Sequence, residues 1–259
     1  MDLKIIKKSD EKIVFNLNGV TPAYANTLRR LMLGEVPTMA IEDVTFVKND
    51  SVLYDEILAH RLGLVVLKTD LDSYKMGSVC SCKGAGCPQC QLKLSLKVEG
   101  PKTVYAKDLI SNDPNVKPVF EDTILVKLLE GQKLEIEATA ILGIGKEHSK
   151  WNPGLVWYSN DSEIKVNNKS KDFDDFKDKF PKQIFDAKGA IDKKLINTDS
   201  LIDACVGVNE DIVNVKFNPT SFNFTVESFG ALSAKEIVTR AMEVYNAQVK
   251  DFDALVKEL

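Results

Sequence analysis

The sequence predicts an α+β fold, with a mainly β middle bracketed by helices near the two ends of the chain. Three observations carry that expectation. KIVFNLNGV and LKLSLKVEG alternate apolar and polar residues as half-buried strands do; TPAYANTLRRLMLGEVP carries a helix-spaced apolar face; and a long apolar row at 3,4 spacing closes the chain. With 259 residues, 44% apolar and 28% charged, there is material for one large domain or two to three small ones, and the composition is that of a folded, water-soluble protein.

The elements follow in order. Lys12 to Val20 is the first strand. Thr21 caps the helix behind it, Pro22 suits the first helical position, and Gly34 and Pro37 supply the stop. Ala25, Leu28, Leu31 and Met32 form its apolar face. Arg29 and Arg30 diverge by about 100°, so one is expected in solvent and the other against a carboxylate. Ala40 to Val47 reads as a strand, and Asp55 to Leu67 as a short helix ending at Gly63 before another strand, with His60 a packing or surface residue. LKLSLKVEG is a strand, and TILVKLLEGQKLEIEATAILGIG two strands turning at Glu130 and Gly131. Residues 42–155 are therefore mostly β. Near Asn160 the composition turns polar and charged, and Phe173, Phe176 and Phe180 recur at helical spacing as the thin core of a small appended unit. Strand character returns in DIVNVKF and SFNFTVESFG.

The last element is a helix whose start is written as a capping box, Ser233 and Glu236 in SAKE. Val238, Met242, Tyr245, Val249, Phe252, Val256 and Leu259 then occupy successive a and d positions, the pattern of a helix packed along another helix. Ile237, Ala241, Val244 and Leu255 widen the surface, which is broad enough for two neighbours: one its own sheet, the other a partner chain.

Four of the five cysteines lie in VCSCKGAGCPQCQ, spaced CxCx4CxxC through Cys80, Cys82, Cys87 and Cys90, with Gly84 and Gly86 permitting the reversal between the pairs. Four thiolates suit one tetrahedral Zn2+ and fill its coordination sphere, which makes the site structural rather than catalytic. An iron-sulfur cluster and redox-active thiols are the alternatives, although the spacing misses the ferredoxin pattern. Cys205 stands alone as a small buried residue.

Several function classes are disfavoured. The formal charge of −4 argues against autonomous nucleic-acid binding. His60 and His148 are the only histidines, GIGKE lacks the spacing of a phosphate loop, and HExxH is absent. No apolar run approaches the roughly 18 residues of a membrane span, and the first residues do not resemble a signal peptide, so a reducing cytoplasm is the expected location. The loop LGIGKEHSKWNPG crowds Lys146, His148, Lys150 and Trp151 between glycines and a proline, residue types common in contact surfaces.

Four stretches, ANTLRRLMLGEVPTMAIEDV, DEILAHRLGLVVLKTD, GIGKEHSKWNPG and NPTSFNFTVESFGALSAKEIV, resemble the family of the D-type subunit of archaeal RNA polymerase, which takes in the third-largest subunit of eukaryotic polymerases and the bacterial alpha amino-terminal domain. The resemblance spans nearly the whole chain. It implies a dimerisation domain built from both chain ends (1–41, 156–164 and 217–259), interrupted by a mainly β insert domain with the cysteine loop (42–155) and by an appended ferredoxin-like α/β region (165–216). With Cys205 its only cysteine, that region is expected to bind no iron-sulfur cluster. The resemblance further implies a non-catalytic subunit that pairs with the small subunit L as the platform for the large catalytic subunits, with the B-type second-largest subunit and small subunits N and P as neighbours. By position, Ala25, Leu28, Met32, Val238, Met242, Tyr245, Val249, Phe252 and Val256 fall in the dimerising helices, and Arg29, Arg30, Lys146, His148, Lys150 and Trp151 on the side of the large subunits. A zinc-stabilised nucleic-acid-binding module is the alternative function.

Overall fold

A computed structural model describes residues 1–258; Leu259, the last member of the predicted apolar row, lies outside the described residues. In chain order the elements are β1 (Asp2–Lys8), β2 (Lys12–Asn18), α1 (Pro22–Gly34), β3 (Pro37–Asn49), α2 (Asp55–Gly63), β4 (Gln91–Glu99), β5 (Lys102–Tyr105), β6 (Ile110–Ser111), β7 (Ile124–Leu128), β8 (Lys133–Ile144), β9 (Gly154–Val166), α3 (Phe173–Phe176), α4 (Asp199–Cys205), β10 (Val213–Ser228) and α5 (Ala234–Lys257). Short 3₁₀ turns fill several connections. The strands make a four-stranded sheet ordered β1-β2-β10-β9, a second ordered β3-β8-β4-β6, and the ribbon β5-β7. The predicted α+β class is met at this level: sheets, helices and a cysteine cluster in one chain.

The chain divides into two compact units. The larger takes residues 7–13, 26–157 and 225–259. Its sheet is built on β8, which pairs antiparallel with β3 on one side (Ala40↔Ile141, Phe46↔Ile136) and β4 on the other (Leu94↔Ala138). Leu92, Leu94 and Leu96 of β4 and Leu134, Ile136, Ala138 and Ala140 of β8 alternate into one core, capped by Leu58 and Leu62 of α2. That core is why residues 92–98 read so cleanly as a strand: every second side chain is turned into it. Two expectations need correction here. No strand follows α2; Leu67 makes only an isolated bridge to Pro118. And β7 and β8, though they turn at Glu130 and Gly131, do not pair with each other: β7 pairs with β5 (Val104↔Val126), while β8 enters the other sheet.

The smaller unit takes residues 1–6, 14–25 and 158–224. Phe15 and Phe224 stack with ring centroids 5.1 Å apart, and Tyr158 meets Phe222 edge-on at 5.4 Å. On β2, β10 and β9 a polar chain runs from Asn16 to Ser221 (3.0 Å) and Asn223 (2.9 Å), and from Ser221 to Asp161 (3.3 Å). The two predicted strands of the C-terminal third are a single strand, β10, continuous through Pro219. The appended segment has its own small core of Ile164, Phe180, Ile184, Ile191, Ile196, Cys205, Ile212 and Val213, against which Phe173 and Phe176 pack. The phenylalanines are thus core, although the helix that carries them is a single turn. Among the described residues between β9 and β10 there are short helical turns, α3, α4 and an isolated Phe185–Ile191 bridge, but no sheet of the segment's own. With so few large side chains buried there, local turns rather than strand pairing satisfy the backbone.

α5 begins as the sequence specifies. The Ser233 hydroxyl accepts from the Glu236 N–H (3.3 Å), and the Glu236 carboxylate accepts from the Ser233 N–H (2.8 Å). The Ser233 hydroxyl, then its backbone N–H, hold the Glu236 carboxyl below its ordinary value. A carboxyl whose value falls on folding stabilises the fold in full above the unfolded value of about 4.3 and loses that contribution as the pH drops below it. Ser233→Ala is therefore expected to cost about 1 kcal/mol at pH 7 and less at acid pH, measured by denaturant unfolding at the two pH values. An equal loss at both would show that the reciprocal bond contributes nothing.

Candidate functional site

The cysteine loop hangs between a 3₁₀ turn (Gly77–Val79) and the start of β4. Its base is tied by the Lys75 N–H to the Gln89 carbonyl (2.8 Å) and by the buried Tyr74, whose hydroxyl donates to Asp113 (2.8 Å). Burial, then the Asp113 hydrogen bond, push that phenol up to about 12, so it stays a donor at neutral pH. Within the loop Gly84 (φ +83°) and Gly86 (φ +85°) take left-handed conformations, and a Cβ on Gly86 would run into the Gln91 amide at 2.5 Å. These are the positions where reversal of the chain requires glycine.

That reversal brings four sulfurs together. Cys80–Cys87, Cys80–Cys82 and Cys82–Cys90 are each 3.5 Å apart and Cys87–Cys90 3.8 Å, and all four lie within 4.8 Å of one another. A tetrahedron with metal–sulfur bonds of about 2.3 Å has edges of about 3.8 Å, so the donor set fits a four-coordinate metal of zinc's size. All are free thiols, well beyond disulfide length. The Cys87 N–H points at the Cys90 sulfur (3.3 Å), the kind of bond that supports a coordinated thiolate. Contact with the Cys80 and Cys90 sulfurs draws the Cys82 thiol down to about 6. Cys80 and Cys90 are buried and Cys82 and Cys87 half-buried. Among the described residues this is the one group of three or more ligating side chains close enough to share an ion.

The helical surface divides sharply. On α1, Ala25, Leu28 and Met32 are buried by this chain's own atoms, Ala25 and Met32 completely. They are therefore corrected from contact residues to packing residues, because a partner cannot reach side chains already sealed from solvent. On α5, Ala234, Ile237 and Ala241 are buried, and Val238, Met242 and Tyr245 are half-buried. From Asn246 onward every described residue is exposed. Val249 (48%), Phe252 (68%), Leu255 (64%) and Val256 (47%) thus form an uncovered apolar strip.

The basic residues also divide. Arg29 is held by the Asn26 amide oxygen (3.2 and 3.0 Å), an i,i+3 contact on its own helix, and not by the carboxylate expected of one of the pair. Arg30 is exposed. Lys150 and Trp151 are corrected to internal residues. The Lys150 ammonium reaches the Ile41 carbonyl (3.0 Å) and Glu42, and lies 4.5 Å above the Trp151 ring. Trp151 is 5% exposed, its carbonyl accepts from the Thr38 hydroxyl (2.7 Å), and its indole lies against Gly143, where any Cβ would overlap the ring. Lys146 and His148 stay exposed; the His148 Nδ1 accepts from the Lys150 N–H (3.0 Å), which fixes the turn. Sequence reasoning missed Asn152 and Gln248, which line a cleft with Arg30 and Lys146; nothing in a linear pattern relates positions so far apart.

Comparison with known proteins bears on the whole chain. Residues 40–156 match the RNA polymerase Rpb3/RpoA insert domain, the segment that carries the cysteine loop and the β3-β8-β4-β6 sheet. DNA-directed RNA polymerase subunit Rpo3 of Archaeoglobus fulgidus is 39% identical over 100% of this chain and 98% of its own length. The Rpo3 subunits of Methanosphaera stadtmanae (37%, 100% and 99%) and Pyrococcus horikoshii (36%, 99% and 97%) are similar to the same extent. Identity at this level along both chains from end to end means that the chain belongs to the family of DNA-directed RNA polymerase subunit Rpo3.

Proposed function

We propose that the chain is a non-catalytic assembly subunit of DNA-directed RNA polymerase that pairs with a small subunit of the L type. The pair then serves as the platform for the large catalytic subunits, the B-type second-largest one among them, with small subunits N and P alongside. The observation that carries this reading is the apolar strip of Val249, Phe252, Leu255 and Val256, exposed on a helix whose opening turns bury Ala234, Ile237 and Ala241 within the chain. An isolated helical end of this length is marginal in water and gains its stability from packing. Val238, Met242 and Tyr245 extend the contact toward the buried end.

In this reading residues 1–41, 156–164 and 217–259 are the dimerisation domain and 42–155 the insert domain. Residues 165–216 are a degenerate ferredoxin-like appendage without a cluster. Cys80, Cys82, Cys87 and Cys90 hold one structural Zn2+, which supplies a cross-link and no reaction. The work is done in a reducing cytoplasm, without direct sequence-specific contact to nucleic acid, in keeping with the charge of −4. No described helix is long and apolar enough to cross a membrane. Coexpression with an L-type subunit tests the reading: a stable one-to-one complex by native mass measurement is expected, and two chains that purify apart would overturn it.

A further inference from the structure

The appended segment of the smaller unit carries a charge division that the chain's net charge conceals. Residues 165–195 hold nine lysines and six aspartates, a net of +3, whereas residues 196–216 hold four carboxylates and one lysine. The basic stretch encloses an open cleft of about 580 Å³, between α3 with the 3₁₀ turn behind it (Lys177–Lys179) on one side and residues 182–189 on the other. Part of its lining is aromatic. Phe180 is buried, and Phe173 and Phe185 are half-buried, packed on the segment's core yet open to the cleft. The wall of residues 182–189 is fixed by hydrogen bonds. The Asp186 N–H donates to the Ala190 carbonyl (2.8 Å), and the Asp186 carboxylate accepts from the Lys188 and Ala190 N–H groups (2.8 and 2.9 Å). Asn168 holds the Phe185–Ile191 bridge from outside, bonded to the Ile191 N–H (2.9 Å) and carbonyl (3.0 Å). Three lysines and two aspartates complete the lining. Lys177 is paired with Asp174 (3.2 Å), which leaves Lys182 and Lys188, both exposed and without an ion pair among the described residues, against Asp178 alone.

We propose that this cleft binds an acidic peptide segment of a partner protein, one that sets a Phe or Leu side chain between its carboxylates. The apolar side chain enters among Phe173, Phe180 and Phe185, and the flanking carboxylates meet the Lys182 and Lys188 ammonium groups. Each half of the site needs the other. Exposed lysines alone hold a carboxylate weakly in water, and phenylalanine edges alone select no charge. Single-stranded nucleic acid is disfavoured because it is held by a track of cations along its backbone; two free ammonium groups beside Asp174 and Asp178 do not make one. The inference goes beyond the assembly reading and does not rest on it, since the cleft lies wholly within the smaller unit.

The test uses the purified full chain and a fluorescein-labelled peptide of Asp and Glu around a central Phe-x-x-Leu pair, read by fluorescence anisotropy. Saturable binding is expected. Lys182→Glu combined with Lys188→Glu should weaken it about tenfold or more, and Phe→Ala in the peptide should do the same. Lys193→Glu combined with Lys194→Glu, at exposed lysines of the same stretch outside the lining, should leave the affinity within about twofold. All four substitutions replace exposed side chains, and an unchanged melting temperature confirms that the variants are folded. No saturable binding by the wild-type chain overturns the proposal. So does an equal loss in the Lys193 and Lys194 variant, which would mean that diffuse charge alone attracts the peptide. If oligothymidylate binds the wild-type chain more tightly and displaces the peptide, the cleft is a phosphate site and the proposal is likewise overturned. Failure to pair with an L-type subunit would sink the assembly reading and change none of these outcomes.

Discussion

Replacing Val249 and Phe252 together by Asp is expected to abolish copurification with an L-type subunit while leaving the rest of the chain folded. The two halves of that statement have separate causes. Val249 and Phe252 are 48% and 68% exposed in the single chain, so a charge at either position meets water and costs the monomer little. In the pair the same positions would be buried. Each lost apolar side chain then forfeits about 1.5–3 kcal/mol, and each carboxylate must be desolvated without a partner. Even the lower bound of about 3 kcal/mol from the two truncations alone weakens binding more than a hundredfold, and the desolvation carries it past a thousandfold. Val52→Asp is the control, because Val52 is 81% exposed in the loop before α2 and away from the strip. Far-ultraviolet circular dichroism should be unchanged for both variants, and analytical ultracentrifugation should show free chains only for the double variant. A double variant that still pairs would mean that the strip faces solvent in the complex as well, and the assembly reading would lose its support.

The contrast between α5 and the Trp151 loop shows where sequence information ends. Ser233 and Glu236 announce the helix because a cap is a local device, made by residues three apart. The row from Val238 to Val256 announces an apolar face for the same reason. What the row cannot state is where along its length the chain's own core stops covering it, since that depends on contacts remote in sequence. Trp151 shows the same limit from the other side. A tryptophan among basic residues in a glycine-bounded loop has one composition whether it points out or in. The feature that decides is Gly143, on β8, which leaves a hole of the right size beneath the ring. β1 is not legible because every one of its residues is exposed, so no burial imposes a two-residue alternation on DLKIIKK. β10 runs through Pro219 because Asn218 supplies a local bond to the Thr220 N–H (3.0 Å) where the ladder is interrupted. By contrast, the four sulfurs are fully legible. CxC and CxxC each fix a pair within one turn, and two glycines suffice to fold one pair onto the other.

The compactness of that unit leads to the second large effect. Cys87→Ser, or removal of metal by a strong chelator, is expected to lower bound zinc from one equivalent to less than a tenth and to melt residues 77–90 while the sheets persist. Structural zinc sites contribute roughly 10–16 kcal/mol of binding energy at neutral pH, far more than this loop can draw from other contacts. Among its residues only Cys80 and Cys90 are buried, and these are the ligands themselves. Without the ion, several thiols confined within 4.8 Å would have to be held there by backbone bonds alone, in a segment rich in left-handed glycines whose conformational freedom favours the open chain. The β8 core needs none of this. Leu92, Leu94 and Leu96 pack against Leu134, Ile136 and Ala138 independently of the sulfurs, so global unfolding should shift by only a few degrees. Hydrogen exchange by mass spectrometry separates the two scales: loop amides should lose protection at once, and amides of β4 and β8 should keep it. Elemental analysis with visible spectroscopy completes the test, because zinc–thiolate sites are colourless and an iron-sulfur cluster absorbs in the visible. Visible charge-transfer bands, or a loop that stays protected after the metal is gone, would show that the four cysteines do something other than close this turn.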